Sequence, residues 1–443
     1  MNIKVENKKY HIVTYGCLMN EHESEKIEGM LGIAGYSKHD DIKTADVIVV
    51  NTCCIREKAE QKIISNIGYL RRYKKANKEL VIIVCGCLTQ QKDLAKKIFS
   101  SFSFINIIIG TQNLHRIPDF LEETLESGKR IISIEQDELK VYEDIPANRY
   151  NKPFALVNIT YGCNNYCAYC IVPYVRGGER SRIPEKIIEE IINLEKEGYK
   201  EITLLGQNVN SYGKGLDNEV NFSWLLKEIE SKTNLTRLRF MTSHPKDLSR
   251  ELIDVFKDRK SICNHIHLPV QSGSSRILKL MNRKYDKEHY LSLVNNLRKA
   301  SPDIAITTDI IVGFPGENKE DFNETIDLMK KAKFDAAFTF KYSKRSGTKA
   351  ATMDCQIPKE IKTERIMKLI EIQNKITYNK NKVLIGKTLD VLVEGKREGK
   401  AQMYGKTETF KRVNFETTED LHGQLVKVKI LDAKKSALVG ELI

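Results

Sequence analysis

The sequence predicts an α/β chain that ends in a small all-β module, and three patterns carry that reading. Short β-branched runs alternate with longer, charged segments of helical period over residues 9–127. The same alternation restarts at Phe154 and supplies six further strand–helix units. After Gly386 the helical period stops, while short alternating strands separated by glycine turns continue to Ile443. Alternation of strand and helix is the signature of βαβ units and a parallel sheet, and glycine-punctuated strands without helices are that of a small β domain.

In the first block the pattern predicts strands at Tyr10–Thr14, Val47–Asn51, Leu80–Cys85 and Phe104–Ile109, with helices near Glu21–Leu31, Glu57–Lys74, Gln90–Phe99 and Asn113–Glu126. Residues Ser127–Pro153, with Gly128, Pro146 and Pro153, read as a connecting segment. The second block predicts strands at Phe154–Thr160, Ile202–Leu205, Arg237–Met241, His265–Val270, Ile304–Val312 and Ala337–Tyr342. Helices at Glu185–Lys196, Trp224–Ser231, Lys287–Lys299 and Lys319–Lys331 lie between them. Six such units fit an open or partial (β/α)6 barrel better than a flat sheet. Beyond Pro358 a helical period runs to about Lys382, and strands follow at Leu389–Val393, Leu425–Ile430 and Ala437–Leu442. The expected domains are therefore 9–127, 149–380 and 382–443.

The chain has 443 residues, 72 Lys+Arg against 59 Asp+Glu, a formal charge of +13 and ten cysteines. With 41% hydrophobic and 30% charged residues it can bury several cores, which excludes a disordered or collagen-like chain. Apolar runs such as Val47–Val50 and Leu80–Val84 fall far short of the roughly 20 residues of a membrane span. The first residues lack an apolar signal core, so a cytoplasmic protein is expected. In that reducing compartment cysteines serve as ligands, nucleophiles or buried apolar residues more often than as disulfides. Basic residues cluster, ten against three acidic in Lys58–Lys97 and seven against one in Lys330–Lys349. Such windows suit a phosphate backbone, and equally suit the solvated helix faces of a lysine-rich protein.

Cys163, Cys167 and Cys170 form a CxxxCxxC set directly after the first strand of the second block. A structural zinc site fits this poorly, because zinc takes four ligands and no nearby fourth Cys or His completes a paired arrangement. Three thiolates on one tight loop can instead hold three irons of a four-iron cluster and leave the fourth without a protein ligand, as catalytic sites do. Further turns follow later strands: Gly206-Gln207-Asn208, Gln271-Ser272-Gly273-Ser274, and Gly313-Phe314-Pro315-Gly316-Glu317. Each alone reads as an ordinary strand-to-helix turn, yet all share the barrel rim where ligands gather. Cys17, Cys53 and Cys87 likewise each follow a predicted strand, so they can meet at one sheet edge. A shared metal site and simple burial stand about even on that argument.

The triplet, with Tyr169 beside its third cysteine, resembles the radical S-adenosylmethionine superfamily. TYGCLMN, NTCCIREKAE, GCLTQ, YCIVPYVRGGERSR, GQNVNSYG, TSHP, LPVQSGSSRILKLMNRKY, TTDIIVGFPGE and FTFKYSKRSGT then resemble, in order and content, the methylthiotransferase family from about residue 9 onward. The fold implied is an N-terminal α/β domain with an auxiliary cluster, a radical barrel, and an RNA-binding TRAM domain. The resemblance implies two [4Fe-4S] clusters. The one on Cys163, Cys167 and Cys170 cleaves S-adenosylmethionine to a 5′-deoxyadenosyl radical. The one on Cys17, Cys53 and Cys87 presents the inserted sulfur, which a further S-adenosylmethionine methylates. Expected cofactor contacts are Tyr169, Gly206, Gln207, Ser272, Gly313, Pro315 and Gly316; expected RNA contacts are Tyr404, Phe410, Lys411 and Arg412. YCIVPYVRGGERSR and GQNVNSYG most resemble the branch that methylthiolates C2 of N6-isopentenyladenosine at position 37 of the tRNA anticodon loop. Related branches act on threonylcarbamoyladenosine in tRNA or on a ribosomal-protein aspartate, and a non-catalytic iron–sulfur RNA-binding protein is the competing class. Partners implied are tRNA and an electron donor of flavodoxin or ferredoxin type, with the enzyme a monomer. Departures from the family pattern are Thr89, where alanine is common, and the arginine-poor GKTETFKRVNF. Cys54 and Cys85 adjoin ligand positions, and Cys263 and Cys355 match no motif and read as structural.

Overall fold

The computed structural model describes residues 8–54, 57–134, 140–216, 220–397 and 401–443. The chain divides into two compact units. One holds Met1–Tyr150, Thr160–Asn164 and Cys170–Arg182; the other holds Asn151–Ile159, Asn165–Tyr169 and Ile183–Ile443.

The first unit is built on six strands: β1 (Lys9–Thr14), β2 (Ser37–Lys38), β3 (Val47–Thr52), β4 (Val81–Gly86), β5 (Ile107–Ile109) and β6 (Ile131–Ser133). All pair in parallel, in the order β2-β1-β3-β4-β5-β6. VIVVNT and VIIVCG are buried throughout. Val47, Val49, Val81 and Ile83 enter one core cluster, while Ile48, Val50, Ile82 and Val84 enter another. Helices therefore cover both faces, which is why these strands read as continuous apolar runs. Three details differ from the pattern, the first being β2, whose two exposed residues the pattern does not show. The helix expected over Glu57–Lys74 is two helices, Glu57–Tyr69 and Arg71–Ala76, parted at Leu70. The segment expected to be a plain connection contains β6, whose three residues are too short to show alternation.

Strand β7 (Phe154–Asn158) opens the parallel set of the second unit, while β8 (Thr160–Tyr161) and β9 (Arg180–Ser181) form a small antiparallel pair in the first. The parallel set continues with β10 (Glu201–Leu205), β11 (Arg237–Phe240), β12 (His265–His267), β13 (Ala305–Val312) and β14 (Ala336–Lys341). The order is β7-β10-β11 and β12-β13-β14, and a single parallel bridge, Leu238 to Ile262, joins the two triples. This is the expected six-stranded partial barrel. Polar N-caps start its helices, with Asn221, Ser249, Ser274, Asp286 and Asn318 each accepting a backbone N–H of the first turn.

The long helix forms over Lys359–Lys382. After it β15 (Thr388–Lys396), β16 (Gln402–Lys406), β17 (Arg412–Glu416), β18 (Leu425–Ala433) and β19 (Leu438–Leu442) close a small barrel around Val391, Met403, Val413, Phe415, Val428 and Ile430. The sequence pattern shows three of these five strands. β16 and β17, each of five residues, carry too many polar positions to stand out. The small barrel docks where the parallel strands begin: Arg237 donates to Lys406 O at 2.6 Å and Asp390 O at 2.9 Å, and Arg259 pairs with Glu408 at 2.7 Å. Among the described residues, no helix is long and apolar enough to cross a membrane.

Candidate metal centres

Parallel register sets the first trio of cysteines. Thr14 aligns with Asn51, and Asn51 with Cys85, so β1, β3 and β4 end at one level. With β1 flanked by β2 and β3, the strand order reverses at β1, and the crevice at the carboxyl ends of such neighbouring strands is where ligands bind in open α/β sheets. Cys17, Cys53 and Cys87 lie immediately beyond these three strand ends. The glycine before Cys17 has φ +144°, and a Cβ there would stand 2.9 Å from Cys53 Cβ. Gly86, before Cys87, has φ +103°, and a Cβ would stand 2.3 Å from Thr52 O. Only glycine permits approach this close.

Hydrogen bonds fix the same loops. Asn20 Nδ2 donates to Asn51 Oδ1 (3.2 Å) and Thr52 O (3.1 Å), Asn51 Nδ2 donates to Asn20 O (2.9 Å), and Thr52 Oγ1 donates to Cys85 O (2.6 Å). Thr89 donates its hydroxyl to Ile109 O at 2.6 Å, so the departure to threonine ties the Cys87 loop to β5. Arg176, from the helix Val172–Arg176 that begins two residues after Cys170, places Nε 3.2 Å from Cys87 Sγ. Both its Nη atoms bind the Glu23 carboxylate, one at 3.0 Å. The Cys87 thiol falls to about 7, chiefly through a hydrogen bond from Cys54 and, against burial, through Arg176. Cys54 is raised by that same bond and by burial, and Cys85 by burial. Of the three thiols, Cys87 is the one whose surroundings favour the thiolate.

In the second trio, Gly162 (φ +74°) lies so close to Gly178 O that a Cβ would stand 2.0 Å from it, and Cys163 N donates to Gly177 O at 3.2 Å. Cys163 and Cys167 are buried and Cys170 half-buried. Within the second unit, Arg283 is 4% exposed and organises the middle of the triplet. Its Nη1 lies 3.4 Å from Cys167 Sγ and 3.5 Å from Tyr169 Oη, Nη2 donates to Pro269 O at 2.9 Å, and Nε donates to Tyr285 Oη at 2.9 Å. Ala168 N donates to Met281 O and Ala350 N to Ala168 O. Tyr169 packs on a cluster that contains Phe314 of the Gly313–Glu317 turn, together with Ile277, Met281 and Tyr342.

The rim turns have distinct local roles. Gly313 (φ +69°) donates its N–H to Glu317 Oε1 at 2.9 Å, Arg365 pairs with that carboxylate, and Pro315 is buried. Gly316 (φ +79°) donates to Cys355 O at 2.9 Å. Gly206 is buried and Gln207 half-buried beyond β10, where Val209 N donates to Thr242 O of the next loop. Ser272 is 1% exposed, and its hydroxyl accepts from Ser274 N at 3.2 Å, so its side chain is turned to the chain's own backbone. His244, which stacks edge-on to Tyr285, is pushed down to about 2, first by burial and then by Arg283, and stays neutral. Cys263 is buried as expected of a structural residue, whereas Cys355 is exposed and its carbonyl accepts from Gly316 N.

Of the four expected RNA contacts, Phe410 stacks on His265 and Lys411 Nζ binds Asp335 at 3.0 Å and Asn381 at 3.1 Å. Both side chains are engaged in docking the small barrel. Tyr404 and Arg412 pair with each other, the guanidinium 4.2 Å from the ring centroid, and Arg412 is exposed. Arg176 and Arg283 escape the motif reading, since they lie 89 and 116 positions from the thiols that they touch. The available signal is that both stand inside quoted motifs, YVRGGERSR and LKLMNRKY.

No two of the ten cysteines are joined as a disulfide, and among the described residues no three His, Cys, Asp or Glu side chains converge as ligands of one ion would. Two trios of thiols, each on strand-end loops and each with an arginine at one sulfur, are soft donor sets of the kind that hold iron–sulfur clusters.

Residues 157–329 match the radical SAM superfamily, residues 9–110 the uncharacterized protein family UPF0004, and residues 382–443 the TRAM domain. A tRNA-2-methylthio-N(6)-dimethylallyladenosine synthase of Caldicellulosiruptor saccharolyticus is 51% identical over 438 residues, which cover 99% of this chain and 93% of the relative. One of Clostridium perfringens is 49% identical over 440 residues, covering 99% and 98%. Among solved structures, a radical S-adenosylmethionine methyltransferase of Kitasatospora setae has a TM-score of 0.58 at 14% identity, covering 78% of this chain and 77% of that one, a likeness of fold.

Proposed function

Because the chain belongs to the family of tRNA-2-methylthio-N(6)-dimethylallyladenosine synthases, radical SAM methylthiotransferases that use [4Fe-4S] clusters and S-adenosylmethionine, we propose how its own residues divide the work. Cys163, Cys167 and Cys170 would hold the radical-generating cluster, and Cys17, Cys53 and Cys87 the cluster that presents sulfur. When bound, these groups supply the one-electron and sulfur chemistry that an adenine C2–H requires, since that hydrogen is neither acidic enough for a general base nor borne by a carbon open to thiolate attack.

The protein residues position and shield. Three thiolates per trio leave a coordination place for a non-protein ligand. Arg283 ties Cys167 to Tyr169, so the aromatic ring expected at the cofactor's adenine is fixed relative to one cluster ligand. The apolar packing of Tyr169 with the cluster around Phe314 excludes water from that side. Gly206, Gln207, Ser272, Gly313, Pro315 and Gly316 would complete the cofactor site through backbone at the rim. Arg176, with Glu23, supports Cys87. Residues 9–127 would carry the sulfur-presenting cluster, 149–380 the radical chemistry and 382–443 tRNA binding, with Tyr404 and Arg412 better disposed to meet RNA than Phe410 and Lys411. An aromatic–cation pair suits unstacked loop bases, the state in which an anticodon-loop adenosine is accessible. The remaining assignments are a cytoplasmic monomer supplied with electrons by a flavodoxin- or ferredoxin-type protein.

The observation that carries the reading is identity of 51% and 49%, over nearly the full length, to enzymes of one name, with six cysteines in motif register. Mass spectrometry of tRNA hydrolysates from cells lacking and then regaining the gene tests it. 2-Methylthio-N6-isopentenyladenosine should vanish and return; persistence of that nucleoside rejects the substrate.

A further inference from the structure

The two buried arginines touch the two trios alike but are balanced differently. Arg176 donates to Cys87 while both its Nη atoms are taken up by the Glu23 carboxylate, itself 6% exposed. The guanidinium and carboxylate form a neutral pair. Arg283 donates toward Cys167, but its other partners are a carbonyl and two phenols, and among the described residues no carboxylate stands within ion-pair distance of it. A buried cation without an anion is costly, so such a group persists where an anion completes it. Among the described residues, Cys167 is the contact of Arg283 that belongs to the thiol trio, and its other contacts are the Tyr169 and Tyr285 phenols and the Pro269 carbonyl.

Resting on the cluster assignment above, we propose that Arg283 is a positioning residue that biases the centre at Cys163, Cys167 and Cys170 toward reduction, whereas Arg176, countered by Glu23, gives the centre at Cys17, Cys53 and Cys87 much less of that bias. Reduction adds one negative charge to a cluster. A nearby uncompensated cation stabilises the reduced form, and a neutral ion pair does so far less. One low-potential donor would then deliver its electron preferentially to the centre that must cleave the cofactor. The pairing of Glu23 with Arg176, not the identity of the thiols, makes the distinction.

The test uses full-length protein in two backgrounds, Cys17/Cys53/Cys87→Ala and Cys163/Cys167/Cys170→Ala, reconstituted anaerobically and titrated with dithionite under paramagnetic resonance. Iron analysis of the two backgrounds tests the assignment of the trios by itself, before any potential is read. In the first background Arg283→Gln should lower the one-electron reduction equilibrium at least tenfold, about 59 mV, and Arg283→Lys, which keeps the charge, should recover most of it. In the second, the double variant Arg176→Gln with Glu23→Gln, which removes the pair together, should change it less than threefold, whereas Glu23→Gln alone, which unmasks the guanidinium, should raise it. An Arg283→Gln shift under threefold, or a shift of the Arg176→Gln and Glu23→Gln double variant as large as that of Arg283→Gln, overturns the proposal. So does a second centre unmoved by Glu23→Gln, and that arm decides the matter even where Arg283→Gln fails to hold iron.

Discussion

The ring of Phe410 lies on that of His265, centroids 4.9 Å apart and planes 19° from parallel. Arg239 approaches the same Phe410 ring, 4.9 Å from its centroid, and also binds Glu201 at 3.0 Å and Thr407 O at 3.4 Å. The aromatic residue that the sequence offers to RNA is thus a plug between the small barrel and the start of β12. Phe410→Ala should cost about 1–2 kcal/mol, less than a fully buried phenylalanine because the side chain is half-buried. Chemical denaturation measures the loss, and limited proteolysis should free the C-terminal barrel sooner. Arg412→Ala should leave stability unchanged while weakening tRNA binding and lowering the salt slope by about 1; unchanged affinity would remove Arg412 from the interface.

Asp335 holds the same seam. Burial pushes its carboxyl up, but Lys411 and Lys380 outweigh that effect and keep it below its ordinary value. Glu201 is likewise pushed up by burial and brought below its ordinary value by Arg239 and Arg237. A carboxyl lowered in the folded state stabilises above its unfolded value, near 4, and loses that contribution as the pH falls through the folded value. Urea midpoints should therefore fall on acidification below about pH 4.5. Asp335→Asn should cost about 3 kcal/mol at pH 7 and flatten that acid limb. An Asp335→Asn protein with the wild-type acid dependence would show that other carboxyls govern it.

Gly86 is the residue whose backbone the Cys87 loop can least do without. Alanine there would combine a left-handed φ with a Cβ 2.3 Å from Thr52 O. Gly86→Ala should destabilise by more than about 1 kcal/mol and lower iron content selectively at the first trio. Gly128→Ala, also at positive φ but with open space around the Cβ, is the control for conformational strain alone. Equal iron content in the two variants would argue against the steric account.

The cysteines separate by function. Cys163→Ala, Cys167→Ala or Cys170→Ala should abolish reductive cleavage of S-adenosylmethionine. Cys17→Ala, Cys53→Ala or Cys87→Ala should leave cleavage partly intact while stopping sulfur insertion. Cys54→Ala should keep iron and activity near wild type, because Cys54 donates a hydrogen bond to Cys87 and is itself held protonated. Product analysis by mass spectrometry reads all three sets, and a Cys17→Ala protein that methylthiolates at the wild-type rate would end the two-cluster reading.

Periodicity located most strands and helices of both α/β blocks, because parallel strands covered on both faces must be continuous apolar runs. It missed β2, β6, β9, β16 and β17, where two to five residues offer too little pattern to read. The cysteine trios were legible as candidates because one is closely spaced on a single loop and each member of the other follows a predicted strand. By itself, then, the sequence determined the α/β class, the order of the modules and the family, and it offered the six cysteines as candidates. Tertiary structure decided which cysteine of Cys54, Cys85 and Cys87 is the acidic one, which aromatic and basic residues of the small barrel face inward, and which arginine meets which thiol. Those outcomes depend on contacts across 89 and 116 positions and on whether a carboxylate such as Glu23 lies within reach. Charge balance is a property of the neighbours that folding supplies, and no local spacing encodes it.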